Sequence, residues 1–154
     1  MAGKVETKLA EMGVEVPDAP APAANYVPYV VAGDMVYVSG QISKDDDGLI
    51  VGKLGADMDV AAGQAAAQVC ALNLIAQVKA ACGGDLDRVV RVVKLGGFVN
   101  SAPDFGDQPA VINGASDFIG EVFGDAGAHA RAAVGCSALP FGVAVEIEGI
   151  FEIA

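Results

Sequence analysis

The spacing of hydrophobic positions changes along the chain, and the first segment has the period of a helix. Val5, Leu9 and Met12 stand four and three residues apart within residues 3–12, which predicts a short amphipathic helix. The stretch VPDAPAPAAN comes next, and its closely spaced prolines exclude a helix and favour an extended arm. We therefore expect a small helix that is joined by an extended arm to the rest of the chain.

From Tyr26 to Gln41, hydrophobic positions are nearly continuous and rich in β-branched and aromatic residues, as is typical of strands. Gly33-Asp34 interrupts this run and predicts a hairpin turn. The polar SKDDDG segment then predicts a turn, and LIVGKLG predicts a further short strand. The first third of the chain is expected to be antiparallel β-structure.

A longer helical pattern comes next. Asp57 or Asp59 can cap its first turn, the pattern runs to Ala81, and Gly83-Gly84 is expected to stop it. The stripe predicted to face the sheet consists of Ala65, Val69, Leu72, Ala76 and Ala80. Its alanines need only close packing, so this helix by itself indicates no ligand.

The segment RVVRVVKLGGFVN is almost continuous in valine, which predicts a strand inside a sheet rather than at its edge. A second helix is expected from Pro109 to Phe123, because proline is tolerated in a first turn and Gly124 can end the helix. Its predicted core stripe is Val111, Ala115, Phe118 and Val122. The closing segment predicts two strands joined by LPFG as a hairpin. This order predicts an α+β layer with two helices on one face of an antiparallel or mixed sheet.

Composition and charge limit the classes of function. The chain has 154 residues, 53% of them hydrophobic, which is enough for one domain with a core. A net charge of −11 opposes binding to nucleic acids and to acidic membrane surfaces. The three cysteines lack C-x-x-C spacing, which favours reduced thiols, and the sequence has neither a signal-peptide pattern nor a membrane-length apolar run. We therefore expect a cytoplasmic protein.

Common short motifs are incomplete here. GLIVGK lacks a spacer residue and the Ser or Thr of a P-loop, and DDDG lacks the alternating ligands of an EF-hand. His129 is the single histidine, and without a recognisable partner a surface or structural role is the better interpretation. We predict neither a phosphate loop nor a metal site.

The last strand alternates, with Glu146, Glu148 and Glu152 on one face. If Leu139 and Gly142 close the preceding turn, Arg131 is expected opposite Ile150, on the face of the glutamates. Two interpretations of Arg131 stay open. In the first, which these residues alone favour, Arg131 forms an ion pair with Glu148 or caps a subunit interface. In the second, its guanidinium is left free to bind a planar carboxylate.

Two long motifs resemble one known family. The pattern R-x-x-V-x-x-x-x-L-P-x-x-x-x-V-E-I-E, from Arg131 to Glu148, is similar to the signature segment of the RidA (YjgF-type) reactive-intermediate deaminases. GDMVYVSGQI resembles the family's early G-N-x-x-F-V-S-G-Q-I segment. The resemblance spans about residues 25–154, and residues 1–24 look like the N-terminal extension of a longer subgroup. The expected organisation is thus a helix and proline-rich arm, followed by a RidA-like domain.

The resemblance implies a chorismate-mutase-like fold that assembles as a homotrimer with ligand clefts between subunits. It also implies hydrolysis of enamines and imines, such as 2-aminoacrylate and 2-iminobutanoate, to 2-keto acids and ammonia without a cofactor. Arg131 matches the arginine that binds the substrate carboxylate, and Glu146 matches the glutamate that orients water. Further matches to residues lining the cleft are Tyr26, Ser39, Gly40, Asn113 and Ala133.

The chain departs from the family pattern in three places. AAVGC stands where typical members have SCVEV, so that Ala133 replaces a cysteine beside the carboxylate site. The match of Asn113 requires an insertion near GDQP, and Tyr29 competes with Tyr26 for one role. A non-catalytic, carboxylate-binding regulatory trimer is therefore an alternative function. A ribonuclease or translation inhibitor is a third, which the acidic charge opposes.

Overall fold

The computed structural model describes residues 2–22 and 24–154. The helices among these residues are α1 (Lys4–Glu11), α2 (Val60–Ala81) and α3 (Gln108–Phe123). The strands are β1 (Tyr29–Ala32), β2 (Met35–Ile42), β3 (Lys44–Asp45), β4 (Gly48–Leu49), β5 (Val89–Asn100), β6 (Ala130–Cys136) and β7 (Val145–Ile153). None of the described helices is both long enough and apolar enough to cross a membrane.

Five strands form one mixed sheet in the order β1-β2-β7-β5-β6. Neighbouring strands run antiparallel, except that β5 and β6 are parallel. The predicted first hairpin is confirmed, and its turn places Gly33 at a φ of 60° that suits glycine. The valine-rich segment is β5, which lies inside the sheet as predicted. The α+β class and the mixed sheet are thus confirmed.

The predicted closing hairpin is wrong, because β6 and β7 do not pair. Strand β7 enters between β2 and β5, whereas β6 pairs with β5 at the sheet edge. Helix α3 connects β5 to β6, as a parallel pair requires. One face of β7 carries buried apolar side chains, and strands flank β7 on both sides. A terminal hairpin would instead leave β7 with a single neighbouring strand.

The strand predicted over LIVGKLG is also largely absent. Only Gly48–Leu49 pairs, with Lys44–Asp45, and the chain then makes isolated bridges at Val51 and Leu54. Gly52 has a φ of 159° and Gly55 a φ of 83°, which break the extended run. In a segment this short, the preference of β-branched residues for a strand does not outweigh the glycines that interrupt it.

Helix α2 has the predicted ends. The carboxylate of Asp59 accepts the N–H of Ala62 at 2.9 Å, and the helix stops before Gly83, whose φ is 65°. The predicted core stripe is wrong, since Ala65 and Ala80 are exposed. The side chains that enter the core are instead Ala66, Ala67, Cys70, Ala71, Leu74, Ile75 and Val78. The helix is apolar on most sides, so its spacing alone does not select one stripe.

Helix α3 buries the predicted stripe of Val111, Ala115, Phe118 and Val122. Gly114 lies so near α2 that an added Cβ would be 2.2 Å from the carbonyl oxygen of Gln64. Both helices cover the same face of the sheet, as predicted, and the hydrophobic core lies between the two layers.

The N-terminal segment is docked onto this body. The carboxylate of Asp87 accepts the backbone N–H groups of Lys4 and Val5 at 2.8 and 3.0 Å, which satisfies two open donors at the start of α1. Leu9 is 2% exposed within the core. The arm is held where the side-chain amide of Gln77 donates to the carbonyl of Pro20 at 2.6 Å.

Candidate functional site

Arg131 lies on the helix-covered face of the sheet. It stands opposite Leu95 on β5, and Leu95 stands opposite Gly149 on β7, in a row that points toward the core. Glu146 and Glu148 alternate with Gly149 along β7 and therefore lie on the other side of the sheet. The predicted shared face of Arg131 and the glutamates is wrong, because it assumed the absent hairpin.

The guanidinium of Arg131 is held against α3. Its Nη1 donates to Oδ1 of Asn113 at 2.8 Å and to Oγ of Ser116 at 3.1 Å, and its Nη2 donates to the carbonyl of Pro109 at 3.1 Å. These bonds use three of its five N–H groups, and the described residues offer the other two no acceptor. The one salt bridge found among the described residues joins Lys79 and Glu6, so the predicted ion pair between Arg131 and Glu148 does not form. Two remaining donors are the number that a bidentate carboxylate takes.

A second hydrogen-bonded layer supports this arrangement. Ser116 Oγ lies 2.8 Å from Nε2 of His129, and Nδ1 of His129 lies 2.6 Å from the carbonyl of Gly127. With the proton on Nδ1, the imidazole donates to Gly127 and accepts from Ser116, which in turn accepts from Arg131. His129 thus has a structural position behind the arginine. The histidine's partner could not be recognised in the sequence because Ser116 is brought to it by packing of α3.

Ala133 follows Arg131 by two residues on the same face of β6, opposite Gly97, and packs partly buried against the core. Asn113 lies in direct contact with Arg131. Sequence reasoning missed Ser116 and the carbonyl of Pro109. The three-residue spacing of Asn113 and Ser116 on a helix was the available signal for Ser116.

Glu146 belongs to a second group of residues. It stands opposite Phe98 on β5 and opposite Ile42 on β2. Its carboxylate lies against Gly40, where a Cβ would be 2.8 Å from Oε1 of Glu146. Burial, and to a smaller extent the charge of Glu148, raises the pKa of the Glu146 carboxyl above its ordinary value. A raised pKa suits a carboxylate that exchanges a proton with water.

This second group opens onto a cavity of about 660 Å³. Tyr26, Gly40 and Glu146 line it, whereas Tyr29 is directed to the core. Ser39 stands beside Gly40, and its hydroxyl donates to the carbonyl of Val27 at 2.8 Å. Ser39 therefore fixes the segment that carries Tyr26.

The predicted site residues thus form two separate groups within one chain. Arg131, Asn113 and Ala133 are on the side of the sheet covered by α3. Tyr26, Ser39, Gly40 and Glu146 surround or adjoin the cavity, whose lining includes none of the first group.

A family model described as "YjgF/chorismate mutase-like, putative endoribonuclease" matches residues 6–147. The chain belongs to the YjgF/RidA family. This membership confirms the resemblance seen in the two sequence motifs, and it extends the match into the N-terminal segment.

Individual relatives of this YjgF/RidA chain agree with the family match. Protein TCP17 of Trypanosoma cruzi is 53% identical over 154 residues, which cover 99% of this chain and 96% of TCP17. The crystal structure of Atu1372, a protein of unknown function from Agrobacterium tumefaciens, is 50% identical, with a TM-score of 0.91, and the match covers 97% and 92% of the two chains. RidA from an Antarctic Psychrobacter is 30% identical, with a TM-score of 0.59 and coverage of 88% and 94%.

Proposed function

We propose that the protein hydrolyses enamine or imine forms of 2-amino acids to 2-keto acids and ammonia. The observation that carries this proposal is Arg131, which α3 holds in place and which retains two N–H donors without a protein carboxylate. A guanidinium in this state suits the carboxylate of a small substrate. Membership of the RidA family is compatible with the reaction.

The reaction needs positioning and proton transfer more than strong chemical activation. The oxygen of water adds to the imine carbon, the C–N bond breaks, and ammonia leaves the 2-keto acid. Glu146 takes one proton from the attacking water and gives it to the imine nitrogen, then takes the hydroxyl proton of the adduct and gives it to the same nitrogen as the C–N bond breaks and the ketone forms. Its raised pKa makes the carboxylate a better proton acceptor than an ordinary glutamate near neutral pH.

Assembly into a homotrimer would unite the two groups of residues, with Arg131 of one subunit placed at the cavity of the next. Support comes from the sheet face opposite the helices, where Val30, Tyr37 and Val134 are about half exposed. Apolar side chains grouped on a sheet face favour coverage by another subunit. Sedimentation should therefore give three times the chain mass of 15.4 kDa.

The test is release of ammonia and keto acid from 2-iminobutanoate that is generated in situ. Wild type should accelerate the release, and Arg131→Ala should lose at least tenfold in kcat/KM. The matched control is Arg88→Ala, since Arg88 is exposed and its guanidinium bonds to the carbonyl of Ala154. Equal rates for wild type and Arg131→Ala would refute the proposal.

A non-catalytic carboxylate-binding trimer is the second candidate, and it is favoured by Ala133 where typical members have cysteine. Thermal stabilisation of the wild type by 2-oxobutanoate, together with no turnover of any imine, would support it. A ribonuclease is opposed by the net charge of −11.

A further inference from the structure

The cavity at Glu146 is much larger than a four-carbon imine. Its volume of about 660 Å³ lies within the range of about 300–1,000 Å³ that holds drug-sized ligands. Such an imine, placed with its reacting carbon near Glu146, would fill only a small part of this space. In the proposed trimer, Arg131 of the next subunit takes part of this space, and the remainder accommodates water or a larger substituent.

The N-terminal arm forms one wall of this space. Pro17, Pro20 and Pro22 line the cavity from the arm, and Val69 and Leu72 line it from α2. The arm is anchored by the buried side chain of Gln77, which bonds to the carbonyl of Pro20. Prolines have little conformational freedom to lose, so this wall is preformed and mostly apolar.

The loop between β6 and β7 supplies an aromatic wall. Phe141 lines the cavity and is 63% exposed, although a phenyl ring is usually buried. Its φ is 60°, a left-handed conformation that bulky residues rarely adopt. Because this strained, exposed ring lines the cavity, it supports contact with a ligand that occupies the cavity.

The charges around the cavity exclude one class of substituent. Its acidic lining residues are Glu15, Asp18, Asp45, Asp46 and Glu146, and its single basic lining residue is Lys44. An anionic side chain would meet a net repulsive field there, while an apolar one would meet the prolines and Phe141.

We infer that the preferred substrate is the imine of a 2-amino acid with a bulky, apolar side chain, which is bound between the N-terminal arm and Phe141. This inference rests on the proposed function and names its substrate class. The carboxylate, bound by Arg131 of the next subunit in the proposed trimer, and the imine carbon would lie at the Glu146 end, and the side chain would extend toward the arm. The N-terminal arm would then act as a specificity wall.

The first experiment compares imines generated in situ by an amino-acid oxidase from phenylalanine, 2-aminobutanoate and glutamate. We expect kcat/KM for the phenylalanine imine to exceed that for each of the other two imines at least tenfold. Apolar pockets discriminate between side chains on this scale. Equal or higher kcat/KM for the four-carbon imine would overturn the inference and leave the proposed function intact.

The second experiment replaces Phe141 with asparagine, which tolerates a left-handed conformation and should not unfold the protein. We expect an unchanged or higher Tm, together with at least a fivefold fall in the ratio of kcat/KM for the phenylalanine imine to that for the four-carbon imine. The control is Val51→Ala, because Val51 is exposed beside the same loop but does not line the cavity, and it should leave the ratio unchanged. An unchanged ratio in Phe141→Asn would contradict the inference.

A binding measurement separates the two proposals if no imine is hydrolysed. Phenylpyruvate should raise the Tm of wild type more than 2-oxobutanoate does at equal concentration, and Phe141→Asn should remove the difference. Equal Tm shifts for the two keto acids would overturn the inferred preference for a bulky, apolar side chain. Unequal Tm shifts without turnover of any imine would reject only the proposed hydrolysis.

Discussion

Replacing glycine with alanine should change stability in opposite directions at two positions of α3, because α3 packs closely against α2 at only one of them. At Gly114, an added Cβ would lie 2.2 Å from the carbonyl oxygen of Gln64 and 2.7 Å from its Cα. These are backbone atoms of another helix, so no side-chain rotation relieves the overlap. At Gly120, nothing lies within 4 Å of an added Cβ.

The magnitudes follow from two opposing terms. Alanine is favoured over glycine inside a helix by about 1 kcal/mol. Overpacking costs about 1–3 kcal/mol, and an overlap with backbone belongs at the upper end. Gly114→Ala should therefore lose about 2 kcal/mol of unfolding free energy, which at this chain length lowers Tm by about 4–8 °C. Gly120→Ala should gain about 0.5–1 kcal/mol and raise Tm by about 1–4 °C.

Thermal unfolding followed by far-UV circular dichroism measures both effects. Protein concentration must be equal in all samples, because the proposed assembly would make Tm depend on it. Gly114 stands between Asn113 and Ser116, so its substitution should also weaken activity that depends on Arg131. A Tm for Gly114→Ala at or above that of wild type would refute the close packing of the two helices.

Further predictions concern the site and the N-terminal helix. Ser116→Ala removes one support of Arg131 and should lower kcat/KM at least about tenfold in steady-state assays, because one hydrogen bond to a charged group contributes about 1.5–3 kcal/mol. Burial raises the folded-state pKa of Glu146, so stability is lost as pH rises through that pKa. Glu146→Gln should therefore raise Tm at pH 7 but not below about pH 4, as a pH series of melts would show. Glu148→Gln should move the acid limb of the kcat/KM profile to lower pH, because the charge of Glu148 contributes to the raised pKa of Glu146. Hydrogen bonds from Val5 and Lys4 lower the pKa of Asp87, so its stabilisation is lost as pH falls through that pKa. Asp87→Ala should speed amide exchange in α1 at pH 7, and this difference from wild type should shrink in acid.

The elements that could be predicted are those set by neighbours along the chain. The cap at Asp59, the stop at Gly83 and the end of α3 at Gly124 depend on contacts within a few residues. The apolar stripe of α3 could be predicted in part, because polar residues occupy the opposite side of the helix, but the buried face also includes Ile112 and Ile119. The stripe of α2 could not, because small apolar residues surround most of that helix.

The sequence by itself determined the α+β class, the ends of the longer helices, the first hairpin and, through two motifs, the family. Tertiary structure decided that β7 inserts between β2 and β5, and this pairing set the face on which Arg131 lies. The reason is that strand pairing joins distant segments through burial, and side chains alternate between faces along each strand. Only the fold could therefore separate Arg131 from Glu146 and place the N-terminal arm beside the cavity.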